Sequence, residues 1–90
     1  MKGNVVTLVT MMGEVVGRLK EETSSGYVLE SPRLFVPGEG NAGGFAPGLS
    51  MTGKQEPSEA IINKAVTLTV TQTHPDVEAG WVQATSGIVL

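Results

Sequence analysis

Four groups of residues have types and spacings that can do chemistry. Gly38–Gly43 reads GEGNAG and fits G-x-G-x-x-G, the spacing that brings backbone amides to a pyrophosphate. That chemistry needs a strand before the motif and a helix after it, so that the helix N-terminus meets the phosphate. The residues that follow, GFAPG, cannot open such a helix, so the segment is expected to be a mobile loop. Thr52–Lys54 (TGK) lacks both the spacing and the following hydroxyl residue of a phosphate loop. His74 is the only histidine. It has no cysteine or carboxylate cluster to complete a zinc site, and it precedes Pro75 as a solvent-side loop residue. It also has no serine in an elbow motif to serve as a base. Glu21 and Glu22 end a predicted strand and are expected to point to opposite faces, as solvated charges rather than a general acid and base. No enzyme signature emerges. The expectation is a non-catalytic chain with no catalytic residue, metal site or cofactor.

Composition narrows the classes further. The chain has 90 residues, 40% of them hydrophobic, and no cysteine, which removes disulfides, thiolate ligands and thiol nucleophiles. At this size folding buries only roughly 60–65% of the unfolded surface, so association with further copies would add stability. There is no apolar run of membrane-spanning length and no secretory leader pattern, so a cytoplasmic protein is expected. Net charge is −3, which argues mildly against broad nucleic-acid binding. The charge is uneven, however. Lys2, Arg18, Lys20 and Arg33 balance Glu14, Glu21, Glu22 and Glu30 in residues 1–36, whereas only Lys54 and Lys64 oppose the acids of residues 37–90. The first half can present a local basic face, and the second half would repel phosphate.

The elements that must position these residues are mostly β. Asn4–Met12 (NVVTLVTMM) is rich in β-branched residues and ends at Gly13, a strand. Glu14–Glu22 follows as a second strand after a tight turn. Thr23–Gly26 (TSSG) is turn chemistry. Tyr27–Ser31 is a third strand, stopped by Pro32, and RLFVP is a short extended piece ending at Pro37. A Pro/Gly-rich loop spans about residues 37–48, a short strand is expected around FAPGLSM, and TGKQEPSE is a loop. Ile61–Thr73 reads as one half-buried strand, with Val66, Leu68 and Val70 on one face and Thr67, Thr69 and Thr71 on the other. Pro75 suits a first helical position, with Asp76 and Glu78 in the first turn and Gly87 as the C-terminal cap. Val77, Trp81 and Ala84 would share a face of that helix, and Ile88–Leu90 form an apolar tail.

Gly17 stands inside the second strand, where glycine marks a sharp bend or a close backbone approach. A glycine there lets the sheet fold over into a small, strongly bent barrel. The stretch GEVVGRL (Gly13–Leu19) resembles the first conserved motif of the Sm-like (Sm/LSm) family. Gly17 and Leu19 fall on the family's Gly-x-Leu, and Val6, Leu8 and Val15 fall on its apolar positions. INKAVTLTV (Ile62–Val70) stands where the family's second motif opens its fifth strand, with Asn63 and Lys64 in place of Arg-Gly. The segments GEVVGRL and YVLESPRLFVP, the Pro/Gly loop and the closing helix are also similar to a group of short marine-phage proteins of the cyanophage type. The resemblance covers about two-thirds of the chain. It implies a mainly β fold, a five-stranded Sm-like open barrel with a C-terminal helix, and one domain over residues 1–90.

The departures limit what the resemblance implies about function. The family holds a base with Asp and Asn between its second and third strands, where this chain has Thr23 and Tyr27. The family's N-terminal helix has no counterpart before the first strand. The base-specific site is therefore incomplete, and a stacking platform remains: Tyr27 would stack on a base, with Asn63 and Lys64 near phosphate or base edges. The competing reading of Tyr27 is a side chain packed on the bent sheet. Gly17, Leu19 and Trp81 are assigned structural roles. Two functions follow. One is a homo-oligomeric ring that binds single-stranded RNA or DNA in nucleic-acid processing. The other is a structural or adaptor oligomer, such as a phage accessory protein, with no nucleic-acid ligand.

Overall fold

The computed structural model describes residues 1–39 and 43–86. The N-terminal Val/Thr run forms β1 (Val5–Thr10), which pairs antiparallel with β2 (Gly13–Glu22) in the register Val6↔Gly17 and Leu8↔Val15. The turn between them needs glycine, since Gly13 has a φ of 128°, and Thr10 Oγ1 donates to the Gly13 carbonyl at 2.7 Å. β3 (Gly26–Pro37) pairs with β2. The other edge of β3 carries two partners: β5 (Glu59–Asn63) along Gly26–Glu30 and β4 (Gly43–Phe45) along Phe35–Pro37. A 3-10 turn at Lys64–Val66 leads into β6 (Thr67–Gln72), which pairs with β1. The helix α1 (Pro75–Ser86) follows. The result is an open antiparallel sheet of six strands with one C-terminal helix.

The sheet buries both faces. On one, Val6, Leu8, Val15, Leu19 and Leu29 form a core against which Tyr27, Leu34, Ile62 and Val70 pack. Side chains from β1, β2, β3, β5 and β6 thus meet in one cluster, which requires the sheet to curl. On the other face Val5, Val16 and Trp81 form a second cluster with Phe45 and Val77. Trp81 is 4% exposed, and its indole N–H donates to the Ser31 carbonyl at 2.9 Å.

Gly17 lies at a close approach. A β-carbon there would meet the Glu30 carbonyl oxygen and Leu29 Cβ, each at 3.1 Å. The β2/β3 register shifts there, with Val16 opposite Arg33 and Arg18 opposite Glu30, so Ser31 and Pro32 bulge from β3. Such a bulge bends its strand and increases the local twist.

Several expected features differ. β3 runs through Pro32 instead of stopping there, because Pro32 falls in the bulge, where no ladder hydrogen bond is needed. The short strand expected around FAPGLSM is Gly43–Phe45. The single strand expected over Ile61–Thr73 is two strands divided by the 3-10 turn, which makes six strands rather than five. Leu68 does not share burial with Val70. The β1/β6 register passes from Val9↔Thr69 to Thr10↔Thr67, leaving Leu68 as an extra residue that is 70% exposed. The helix starts at Pro75 as expected, but Ala84 is exposed. Gly87, the tail Ile88–Leu90 and the centre of GEGNAG, Gly40–Ala42, lie outside the described residues.

Candidate nucleic-acid site around Tyr27

The β2–β3 turn is built by Thr23. Its hydroxyl accepts from the Gly26 N–H at 3.0 Å and the Ser25 N–H at 3.3 Å. Thr23 therefore closes a turn, as its sequence predicts. The turn sets the register that places Tyr27 opposite Glu22 on β2 and Ile62 on β5. Asn63, next along β5, lies opposite Gly26. The Lys64 N–H donates to the Ser25 carbonyl at 2.9 Å, which ties the 3-10 turn to the β2–β3 turn.

These contacts bring Tyr27, Asn63 and Lys64 together although they are far apart in the chain. Lys64 Nζ stands 5.4 Å from the Tyr27 ring centroid, a cation–π contact. It also pairs with Glu22 Oε2 at 2.8 Å. Glu22 is the partner that sequence reasoning missed. Its signal is the short turn, which fixes Glu22 opposite Tyr27. The Asn63 side-chain carbonyl accepts from the Ala65 N–H at 2.7 Å and caps the 3-10 turn. The amide nitrogen of Asn63 makes no hydrogen bond among the described residues.

Tyr27 has two kinds of neighbour. Part of its half-buried ring packs on the core cluster. Another part borders a groove of about 540 Å³, lined also by Met1, Lys2, Leu19, Glu21, Glu22 and Val70. The N-terminal residues form one wall, held by the Gly3 N–H to the Leu19 carbonyl at 2.7 Å and the Leu19 N–H to the Asn4 carbonyl at 2.9 Å. Glu21 and Glu22 were expected on opposite faces. Their consecutive pairings, Glu21 with Val28 and Glu22 with Tyr27, place them so, and Glu22 shares the face of Tyr27.

The remaining cations are mostly engaged. Lys20 Nζ meets Glu59 Oε2 at 2.6 Å. That hydrogen bond and the charge of Glu59 hold the Lys20 ammonium above its ordinary pKa. Arg18 donates to the Gly3 carbonyl at 2.8 Å and lies 5.6 Å from the Trp81 ring centroid. Arg33 is 5% exposed and donates to the Pro32 carbonyl at 2.8 Å. Leu19 is buried in the core, and Gly17 lies at the β2–β3 approach. His74 is exposed, and its Nδ1 accepts from the Asp76 N–H at 3.1 Å at the start of α1. Among the described residues no three His, Asp or Glu come together to hold a metal ion, and no helix is long and apolar enough to cross a membrane. Comparison with family models, curated proteins and solved structures finds no match to this chain.

Proposed function

We propose that this chain is a subunit of a homo-oligomeric Sm-like ring that binds single-stranded RNA or DNA weakly, without catalysing a reaction. In this reading the curled sheet is the family's bent open barrel and the protein works in the cytoplasm, that of the host if a phage encodes it. The observation that carries the reading is the convergence of Tyr27, Asn63 and Lys64 at the 3-10 turn between β5 and β6. An aromatic ring, a free amide and an ammonium are the groups that stack on a base, meet its edge and meet a phosphate. The two strands joined by that turn support the ring. β5 pairs only with β3 and β6 only with β1, so each has an unpaired edge among the described residues. Exposed edges invite pairing with another chain. A ring would repeat the Tyr27 cluster around its axis, and repetition raises avidity where each contact is weak.

The second reading is an adaptor oligomer without nucleic acid. It is favoured by the pairing of Lys64 with Glu22 and of Lys20 with Glu59, which leaves the site's lysine and a second cation engaged by carboxylates. A salt titration with labelled single-stranded RNA and DNA separates the two. Affinity that falls as salt rises and is lost in Tyr27→Ala supports the nucleic-acid ring. No binding at low salt supports the adaptor.

A further inference from the structure

The two carboxylates at the end of β2 face opposite ways, and only one belongs to Tyr27. Glu22 is paired with Tyr27 and shares its face, whereas Glu21 is paired with Val28 and stands among the charges around Lys20. Glu22 Oε2 holds the Lys64 ammonium at 2.8 Å, and the same ammonium stands over the Tyr27 ring, 5.4 Å from its centroid. The backbone of Lys64 is fixed, since its N–H donates to the Ser25 carbonyl and Asn63 caps the 3-10 turn. Its side chain is not. The Lys64 and Glu22 side chains are 34% and 56% exposed, and a lysine ammonium is a point charge on a flexible stem. In the free protein the ring is thus partly covered by a contact that can open.

We propose that Glu22 is a latch on this site: in the free protein it holds Lys64 over Tyr27, and a single strand of nucleic acid binds by drawing Lys64 from the carboxylate to a phosphate, which uncovers the ring for a base. The inference rests on the nucleic-acid reading above and adds a self-occluding contact to it. A base stacks face to face on an aromatic ring, so it and the ammonium cannot share the same part of that face. The exchange balances in charge, because Lys64 gives up one oxyanion for another. Its cost is the ion pair and the unpaired carboxylate left behind, which repels the incoming strand. Pairs between exposed side chains are weak, so the latch lowers affinity without closing the site. Glu21 carries the same charge on the opposite face and takes no part, which makes it the natural control.

The test measures binding of a short labelled uridine tract at one low salt concentration, on the intact protein and on Glu22→Gln and Glu21→Gln, each with and without Lys64→Ala. Glu22→Gln should tighten binding about two- to fivefold, the range set by a weak exposed ion pair. Glu21→Gln removes the same charge from the other face and should tighten it distinctly less. With Lys64→Ala present, the two glutamine substitutions should act alike, because no ammonium is left to release. A second readout needs no ligand. In the free wild type the Tyr27 ring current should shift the Lys64 Cε protons upfield in a proton NMR spectrum, and Glu22→Gln should return them toward their ordinary position. Equal gains from Glu22→Gln and Glu21→Gln, with binding still dependent on Tyr27, overturn the latch and leave the nucleic-acid reading standing. A Glu22→Gln gain that survives in Lys64→Ala, or Lys64 protons unshifted in the wild type, overturns Lys64 as the group held. No binding by any variant overturns the nucleic-acid reading, and the latch with it.

Discussion

Gly17 is small because the neighbouring backbone leaves no room for more. The Glu30 carbonyl oxygen and Leu29 Cβ stand 3.1 Å from where its β-carbon would be, and neither is the far end of a flexible chain. Gly17→Val must push β2 and β3 apart. The expected loss is about 1–3 kcal/mol, read as a fall in melting temperature of roughly 4–8 °C per kcal/mol for a domain of this size. An unchanged melting temperature would contradict the close approach. Trp81 is held differently, by burial and by one hydrogen bond to the Ser31 carbonyl. Trp81→Phe keeps most of the apolar contact and removes the donor. A loss on the order of 1–3 kcal/mol is expected in a denaturant titration, because the carbonyl loses its partner. Asn63 lets two roles be told apart. Asn63→Ala removes the acceptor that caps the 3-10 turn and should cost about 1 kcal/mol. Asn63→Asp keeps the acceptor but loses the amide donors, so it should preserve stability while weakening nucleic-acid binding. If Asp destabilises as much as Ala, the cap is not what Asn63 contributes.

At the scale of elements, local signals were legible wherever one pattern ran without interruption. β1 and β2 follow from β-branched residues ending at Gly13, and α1 follows from Pro75 with acids in the first turn. The sequence misleads where a bulge resets the pattern. Pro32 reads as a stop because proline lacks a donor, yet in a bulge no donor is required. Ile61–Thr73 reads as one strand because no glycine or proline separates its leading isoleucines from the alternation that begins at Val66. The marker of the break is Asn63, whose side chain competes for the backbone N–H of Ala65 and ends β5. The site is legible to a similar degree. Tyr27 and Lys64 are suggested by resemblance, and the structure brings them together. Glu22 as the partner of Lys64 is not suggested, because the two meet only after β5 pairs with β3. The ion pairs on this surface fasten strands that are distant in sequence. Lys20 on β2 meets Glu59 on β5, and its raised pKa means that this small stabilisation is present at neutral pH and lost as pH rises through the raised value.

For the whole molecule, the exposed apolar residues on β5 and β6 decide what to expect in solution. Ile61 is 71% exposed and Leu68 is 70% exposed. Both lie on strands with an unpaired edge, and Leu68 stands out at a bulge. Fully burying such a side chain is worth roughly 1.5–3 kcal/mol. A soluble monomer normally blunts such an edge with charge, proline or a covering element, and β6 (TLTVTQ) carries neither charge nor proline. If β5 of one copy pairs with β6 of the next, each subunit uses both edges, and the contact is head-to-tail and closes into a ring where the rotation permits. The wild type should therefore sediment at several times 9.4 kDa at micromolar concentration. Lysine at Leu68 would place an unpaired charge in that contact without touching the core, since the side chain is already in solvent. Leu68→Lys should sediment as a monomer with its far-ultraviolet circular dichroism unchanged. Ile61→Lys should do the same from the opposite edge, and mixing the two variants should not restore a closed assembly, because each still lacks one working edge. A wild type that sediments as a monomer would remove the ring and the avidity that weak binding at Tyr27 depends on. A Leu68→Lys protein that keeps the wild-type mass would show that the copies meet through another surface.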